Sequence, residues 1–112
     1  MASNMDPHLI YTISRSIKDN KIHWIKASND SEWVHFGVNK QIAIDIIDNH
    51  FSNELLYVVF TRRKSVQTAK IDIEKMISAL FGFQNFSIWD AEFKKIAQFN
   101  SIGTVRIGLV KD

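Results

Sequence analysis

The last quarter of the chain alternates apolar and polar residues in three short segments that are separated by turn residues. Residues 86–89 and 93–99 have the length and composition of strands, and residues 90–92 between them supply a turn. Residues 100–103 then lead into a third alternating segment at 104–110. A period of two is typical of strands with one buried face. We therefore predict a three-stranded antiparallel meander at this end of the chain.

The N-terminal third also has a β-like pattern. Residues 9–17 alternate loosely between apolar and polar types and are rich in Ile, Tyr and Thr, which favour strands. Polar residues at 18–21 supply a turn before a second apolar segment at 21–26. This arrangement predicts an N-terminal hairpin, and residues 32–37 predict a third short strand after it.

Two segments have helical periodicity. Apolar residues recur every three or four positions behind Asn39, which is a favourable N-cap residue, although the high Ile content leaves a strand as an alternative. A second helix is predicted over residues 72–81, with Asp72 as its cap and Gly82 as its terminator. Between the two helices, the continuous apolar run at 55–61 is typical of a strand buried on both faces.

These elements predict a single α+β domain. We expect a mixed or antiparallel sheet with an N-terminal hairpin, two helices and a C-terminal three-stranded meander. A chain of 112 residues has room for one core, which we place in residues 8–112. Residues 1–7 are predicted to be a disordered N-terminal segment.

Composition restricts the classes of function. The chain has no cysteine, which excludes disulfides, zinc–thiolate sites and thiol nucleophiles. No apolar run approaches the roughly 20 residues that span a bilayer, and the N-terminus does not resemble a secretion signal, so we expect a cytoplasmic protein without membrane contact. A formal net charge of +2 gives no strong long-range field for nucleic acid.

No motif for catalysis is present in the sequence. The serines read as turn and cap residues, and the sequence contains neither a nucleophile elbow nor a Gly-rich phosphate loop. His23 and His35 could face each other on paired strands, but no third ligand lies at a diagnostic spacing. Asp45 and Asp48 are expected on the solvated side of the first helix. We predict no catalytic residue, no metal site and no cofactor.

Two groups of residues are candidates for binding a partner. Arg62, Arg63 and Lys64 form the one dense cationic cluster, at the end of the apolar run. They could bind a phosphate or an acidic protein surface through charge-assisted hydrogen bonds, or they could simply prevent aggregation of a very apolar strand. Since the chain itself is slightly basic, an acidic partner surface is one expectation, and a local acidic patch of its own is the alternative.

The second group is aromatic. Trp24, Trp33 and Phe36 lie beside His23 and His35 on the predicted N-terminal strands. Such residues can belong to the core, contribute hot spots to a protein interface, or stack on single-stranded bases.

The C-terminal half resembles small bacterial immunity proteins of contact-dependent inhibition and related polymorphic toxin systems. The resemblance is carried by a strand that ends in Thr-Arg-Arg-Lys-Ser at 61–65, a short helix, and the sequences Phe-Ser-Ile-Trp-Asp and Phe-Asn-Ser-Ile-Gly-Thr-Val-Arg-Ile-Gly. It implies a cytoplasmic non-enzyme that binds a cognate toxin domain and blocks the toxin's active site or the access of its substrate. The state of assembly, monomer or homodimer, stays open.

The expected contact residues follow from the two groups and not from the resemblance. They are Trp33, His35, Arg62, Arg63 and Lys64. The alternative is a small nucleic-acid-binding module in which the basic cluster binds phosphates and a tryptophan stacks on bases. That alternative predicts an affinity that falls steeply with salt concentration.

Overall fold

The fold is an antiparallel sheet with helices on both faces, as a computed structural model of residues 6–52, 54–60, 65–80 and 84–111 describes it. The strands are β1 (Ile22–Trp24), β2 (Val34–His35), β3 (Leu55–Val59), β4 (Val66–Ala69), β5 (Phe86–Asp90), β6 (Lys95–Asn100) and β7 (Thr104–Val110). The strand order is β1-β7-β6-β5-β3-β4, and β2 pairs with β7 on the same side as β1. The helices are α1 (Pro7–Ser16), α2 (Lys40–His50) and α3 (Ile73–Leu80). The α+β class predicted from the sequence is confirmed.

The C-terminal meander is confirmed, with one adjustment at its first turn. Strands β5, β6 and β7 pair in sequence, as Phe86 opposite Phe99 and Gln98 opposite Arg106 illustrate. Phe93, predicted to begin the middle strand, instead lies in the turn with a left-handed φ of 56°. The buried carboxylate of Asp90 holds this turn, because it accepts hydrogen bonds from the two backbone amides that follow Phe93.

The predicted N-terminal hairpin is wrong, because its first strand is the helix α1. Asp6 caps this helix by accepting a hydrogen bond from the backbone amide of His8 at 2.7 Å, and Pro7 fits the first turn. Ile10 is fully buried against the sheet, while Leu9, which the strand pattern would have buried, is exposed. Without an upstream partner, β1 pairs with β7, Ile22 lying opposite the last residue of that strand.

The helix predicted behind Asn39 is confirmed as α2. The side chain of Asn39 accepts a hydrogen bond from the backbone amide of Gln41, as an N-cap should. Ala43 and Ile47 are the residues that α2 buries completely, whereas Ile42, predicted on the same stripe, is exposed. No helix in the described part of the chain is both long enough and apolar enough to cross a membrane.

The second predicted helix is α3, and its first residue, Ile73, directly follows the predicted cap. Asp72, the predicted cap, lies within a short 3₁₀ turn, Lys70–Asp72, that precedes the helix. Ile73 and Ile77 face the core, as predicted. Gly82, the predicted terminator, lies outside the described residues. The sequence pattern missed β4, which pairs with β3 where the chain was expected to leave the core.

The sheet has a packed cluster on each face, because inward side chains alternate along its strands. One face, here the helix-pair face, is covered by α2 and α3. Its buried residues are Phe36, Ala43, Ile47, Phe51, Leu56, Val58, Ile73, Ile77, Phe86, Ile88, Ala97, Phe99 and Val105. The other, here the α1 face, buries Ile10, Ile22, Tyr57, Val59, Trp89 and Ile96. Helix α1 contacts β3 and β4, at the far side of the sheet from β1 and β7.

Candidate protein-interaction surface

The two aromatic-strand residues predicted to contact a partner lie together beside β7. His35 belongs to β2, opposite Thr104, and its side chain is exposed. Trp33 precedes β2 and is half-buried. Val34 between them packs against the core of the helix-pair face, so alternation places Trp33 and His35 on the α1 face. The structure thus brings these two predicted residues to one surface.

The side chain of Arg106 organises this part of the α1 face. Its guanidinium carbon lies 3.6 Å from the ring centroid of Trp24 and 4.7 Å from that of Trp33. The Nε atom donates a 2.7 Å hydrogen bond to the Gln98 side chain. The two terminal nitrogens lie 3.3 Å from carboxylate oxygens of Asp19 and Glu32, and only 14% of the arginine side chain is exposed.

This stack fastens the connection between β1 and β2 to the sheet. The connection, residues 25–33, is also held by a backbone hydrogen bond from Ile25 to Ile107 and by a turn that Ser31 closes. Trp24, at the end of β1, and Trp33, just before β2, both contact the guanidinium of Arg106. This one side chain therefore holds both ends of the connection. The orientation of the Trp33 ring therefore depends on Arg106, while β2 itself is held by its pairing with β7.

Two glycines hold the chain rigidly just beyond β2. The backbone amides of Phe36 and Gly37 both donate hydrogen bonds to the carbonyl of Gly103. Both glycines have positive φ, and a Cβ on Gly103 would lie only 2.9 Å from the Cα of Gly37. At position 103 only glycine allows so close an approach of two backbones, whereas at Gly37 a Cβ would meet open space and it is the positive φ that favours glycine.

Large apolar side chains flank the glycine contact in solvent. Val38 follows Gly37 and is 90% exposed, and Ile102 precedes Gly103 and is 75% exposed. Together with Trp33 and His35 they form what we call the tip surface. Single exposed apolar residues are common, but here two lie on adjoining turns at the end of β2, the strand that carries His35 and follows Trp33, and tryptophan is enriched at protein interfaces.

The basic residues predicted as contacts cannot be placed on this surface. Arg62, Arg63 and Lys64 lie outside the described residues. In the chain they connect β3 to β4, and β3 is separated from β7 by two intervening strands. At a spacing of about 4.8 Å between strands, β3 and β7 are roughly 14 Å apart.

The possible facing arrangement of His23 and His35 is wrong. His23 pairs with Leu109 and His35 with Thr104, five residues away along β7, which corresponds to about 17 Å. Because five is an odd number of residues, the two side chains also lie on opposite faces of the sheet. Among the described residues, no group of three His, Cys, Asp or Glu side chains could hold a metal ion.

The acidic residues of α2 are distributed as a solvated helix face. Asp45 accepts a hydrogen bond from the side chain of Gln41, one turn earlier. Asp48 and Glu54 border an open surface depression together with Lys70. The ammonium of Lys70 donates hydrogen bonds to the carbonyls of Asp48 and Phe51 and so satisfies the C-terminal end of α2. This cation offsets the acidic patch that the sequence suggested.

Sequence reasoning did not anticipate the Arg106 stack or the tip. Arg106 lies between Val105 and Ile107, which pack on the helix-pair face, so alternation along β7 accounts for its face, but its two tryptophan partners are more than 70 positions away in the chain. The signal for the tip was the pair of Gly–Val and Ile–Gly steps at 37–38 and 102–103, which read as ordinary turns. Comparison with family models, curated proteins and solved structures finds no match to this chain.

Proposed function

We propose that this chain is a non-catalytic immunity protein that binds a cognate bacterial toxin domain in the cytoplasm. Binding blocks the active site of the toxin or the access of its substrate. The observation that supports the proposal most is the tip surface, where Val38 and Ile102 project from a rigid contact of Gly37 with Gly103. A backbone that is already held in place before binding loses less conformational entropy when the side chains that it carries are covered.

The chemistry of the tip surface is suited to occlusion. It consists of hydrocarbon, an indole and an imidazole, and steric blocking of another protein requires no reactive group. Trp33 is the member most typical of an interface hot spot, since tryptophan combines a large apolar area with few rotatable bonds. Its ring is already held against Arg106, which fixes its orientation before a partner arrives.

Co-expression with the toxin domain encoded beside this chain tests the proposal. We expect a stable complex and protection of the cells. Val38→Asp should weaken binding by about tenfold or more, because it introduces a charge into a desolvated contact. Ile71→Asp is the matched control, since Ile71 is 89% exposed but lies next to β4, on the other side of the sheet. Absence of both binding and protection for the unmodified chain would rule the proposal out.

The basic cluster provides an independent arm of the same experiment. A triple substitution of Arg62, Arg63 and Lys64 by alanine should reduce affinity if these residues contact an acidic surface of the toxin. Loss of binding in this variant together with full binding of Val38→Asp would move the interface from the tip surface to the β3–β4 connection.

The nucleic-acid alternative makes a different prediction. Trp24 and Trp33 both stack on Arg106, whose charge faces Asp19 and Glu32. The two indole rings that could stack on bases are therefore already engaged in a contact within the protein. We expect no measurable binding of single-stranded RNA or DNA at about 50 mM salt. Tight binding that falls steeply with added salt would favour the alternative.

A further inference from the structure

A second concave surface lies between α1 and the α1 face of the sheet. It is a cleft open to solvent with a volume of about 450 Å³, which is within the range of small-ligand pockets. Tyr11, Ser14 and Arg15 of α1 form one wall, and Ser87, Trp89 and Gln98 of the sheet are among the residues that form the other. The tip surface does not contribute to this cleft, which is therefore a separate candidate site.

The orientations of two amides in the cleft are fixed by the groups that they bind. The Oε1 atom of Gln98 accepts a hydrogen bond from the Nε of Arg106, and the Oδ1 atom of Asn85 accepts one from the backbone amide of Ser101. Both partners can only donate, so the bound atom of each amide must be its oxygen. The NH₂ groups of Gln98 and Asn85 are consequently the atoms left for a ligand.

A hydroxyl group in the same cleft also has its oxygen occupied as an acceptor and its hydrogen free to donate. The Oγ atom of Ser14 accepts a 2.9 Å hydrogen bond from the indole nitrogen of Trp89, which can only donate. The hydroxyl hydrogen of Ser14 therefore remains available. With the two amides, three polar side chains of the cleft lining already use an acceptor oxygen within the protein and retain donors for another molecule.

The charges around the cleft favour an anion. Arg15 and Lys18 line it, and neither forms an ion pair with any residue that the structure describes. Asp19 also lines the cleft, and its carboxylate lies 3.3 Å from the guanidinium of Arg106, which it shares with Glu32, so the two cations Arg15 and Lys18 face one partly compensated carboxylate in the lining. The lining thus combines unpaired cations with amide and hydroxyl donors.

We propose that this cleft binds an oxyanion, namely the carboxylate or phosphate group of a ligand. Donors of the Gln98 and Asn85 amides and of Ser14 supply hydrogen bonds, and Arg15 and Lys18 supply charge. A carboxylate or phosphate accepts hydrogen bonds through every oxygen, which matches a wall of donors. The proposal does not depend on the immunity function, because a small anion can occupy the cleft without any protein partner.

Titration of the isotopically labelled protein with two small anions tests the proposal. Inorganic phosphate stands for phosphate-bearing ligands and glutarate for acidic side chains or free carboxylates. We expect one or both to shift the side-chain amide signals of Gln98 and Asn85 and the indole signal of Trp89, saturably and in the millimolar range. Sodium chloride at equal ionic strength should not reproduce these shifts. The anion that saturates at the lower concentration identifies the source of the oxyanion.

An isosteric substitution separates the cleft from general charge effects. Asn85→Asp keeps the acceptor for Ser101 but replaces the donor with a negative oxygen, so the saturating concentration should rise at least tenfold. Asn49→Asp makes the same change of charge on exposed α2, on the other face of the sheet, and should leave it unchanged. Arg15→Gln should raise the saturating concentration of the anion about threefold, as expected for loss of one exposed cation. Equal effects of the two asparagine variants, or no saturable shift with either anion, would overturn the proposal.

Discussion

Replacement of Arg106 is the most direct test of the packing on the α1 face, because this one side chain joins β1, β6, β7 and the β1–β2 connection. Arg106→Ala removes the cation between Trp24 and Trp33 together with the hydrogen bond to Gln98. Arg106→Lys keeps a positive charge at the same position but loses the planar group that stacks between the rings. Comparison of the two variants therefore separates stacking from simple charge pairing.

The magnitude follows from the surroundings of the guanidinium. Each cation–π contact is worth about 0.5–1 kcal/mol when exposed and about 2 kcal/mol when desolvated, and Arg106 is only 14% exposed. The hydrogen bond to neutral Gln98 adds roughly 1 kcal/mol. The ion pair with Asp19 adds little, because that carboxylate is 73% exposed. Since these contributions are not additive, we expect Arg106→Ala to lower the free energy of unfolding by about 2–4 kcal/mol.

Urea unfolding followed by far-ultraviolet circular dichroism measures the effect. Arg106→Lys should recover less than half of the loss, whereas Asp19→Asn and Glu32→Gln should each cost less than about 1 kcal/mol. Raising the salt concentration to about 1 M should change the Arg106→Ala deficit only slightly, because buried contacts are weakly screened.

Two results would refute this reasoning. A deficit below about 1 kcal/mol for Arg106→Ala would mean that the stack contributes no more than an ordinary surface contact. Full recovery by Arg106→Lys, with a deficit that disappears in high salt, would assign the stabilisation to the ion pairs instead.

Three further predictions concern stability elsewhere in the fold. Gly108→Ala should lower the unfolding temperature and reduce the free energy of unfolding by about 1–3 kcal/mol, because the new Cβ would lie 2.6 Å from a methyl carbon of Ile22. An unchanged unfolding temperature would show that β1 can move to make room for the methyl group. Phe93→Gly should be more stable than Phe93→Ala by about 1 kcal/mol in the same unfolding assay, the reverse of the usual order, because φ is 56° there. Burial lowers the pKa of His50 from its ordinary value of 6.5, so the unfolded chain binds the proton more tightly than the folded chain does. The free energy of unfolding should therefore decrease as the pH falls below 6.5. His50→Gln should lack that decrease when unfolding is compared at about pH 7.5 and pH 5.5.

The parts of the fold that the sequence predicted well are those that form through local pairing. Strands β5, β6 and β7 are neighbours both in the chain and in the sheet, so alternation and turn residues were enough. Asp90, predicted as the first residue of the turn, is instead the last residue of β5, and its carboxylate closes the turn that follows through two backbone amides. The N-cap of α2 at Asn39 was equally local.

The N-terminal error has a specific physical cause. Leu9, Tyr11 and Ile13 alternate, and their residue types favour strands. Asp6 followed by Pro7 is a helix start signal that competes with that pattern, because a capping side chain and a fixed φ both favour a helix. The helix is then held by tertiary contacts, which a local pattern cannot reveal.

Long-range contacts also explain why the candidate sites were only partly predicted. Trp33 and His35 were chosen by residue type and do share a surface, but the glycine contact that completes the tip joins positions 37 and 103. The cleft was not predicted at all. Its donor character arises because Arg106, Ser101 and Trp89 occupy the acceptor atoms of its lining, and such pairing depends on the folded geometry.

Amide hydrogen exchange of the chain alone and in complex with the toxin domain encoded beside it tests the central claim most directly. The account predicts slower exchange on binding at residues 33–38 and 101–104, the two segments that carry the tip surface. Exchange in α3, on the helix-pair face, should not change. Protection confined to β3, β4 and their connection, with none at the tip, would contradict the account.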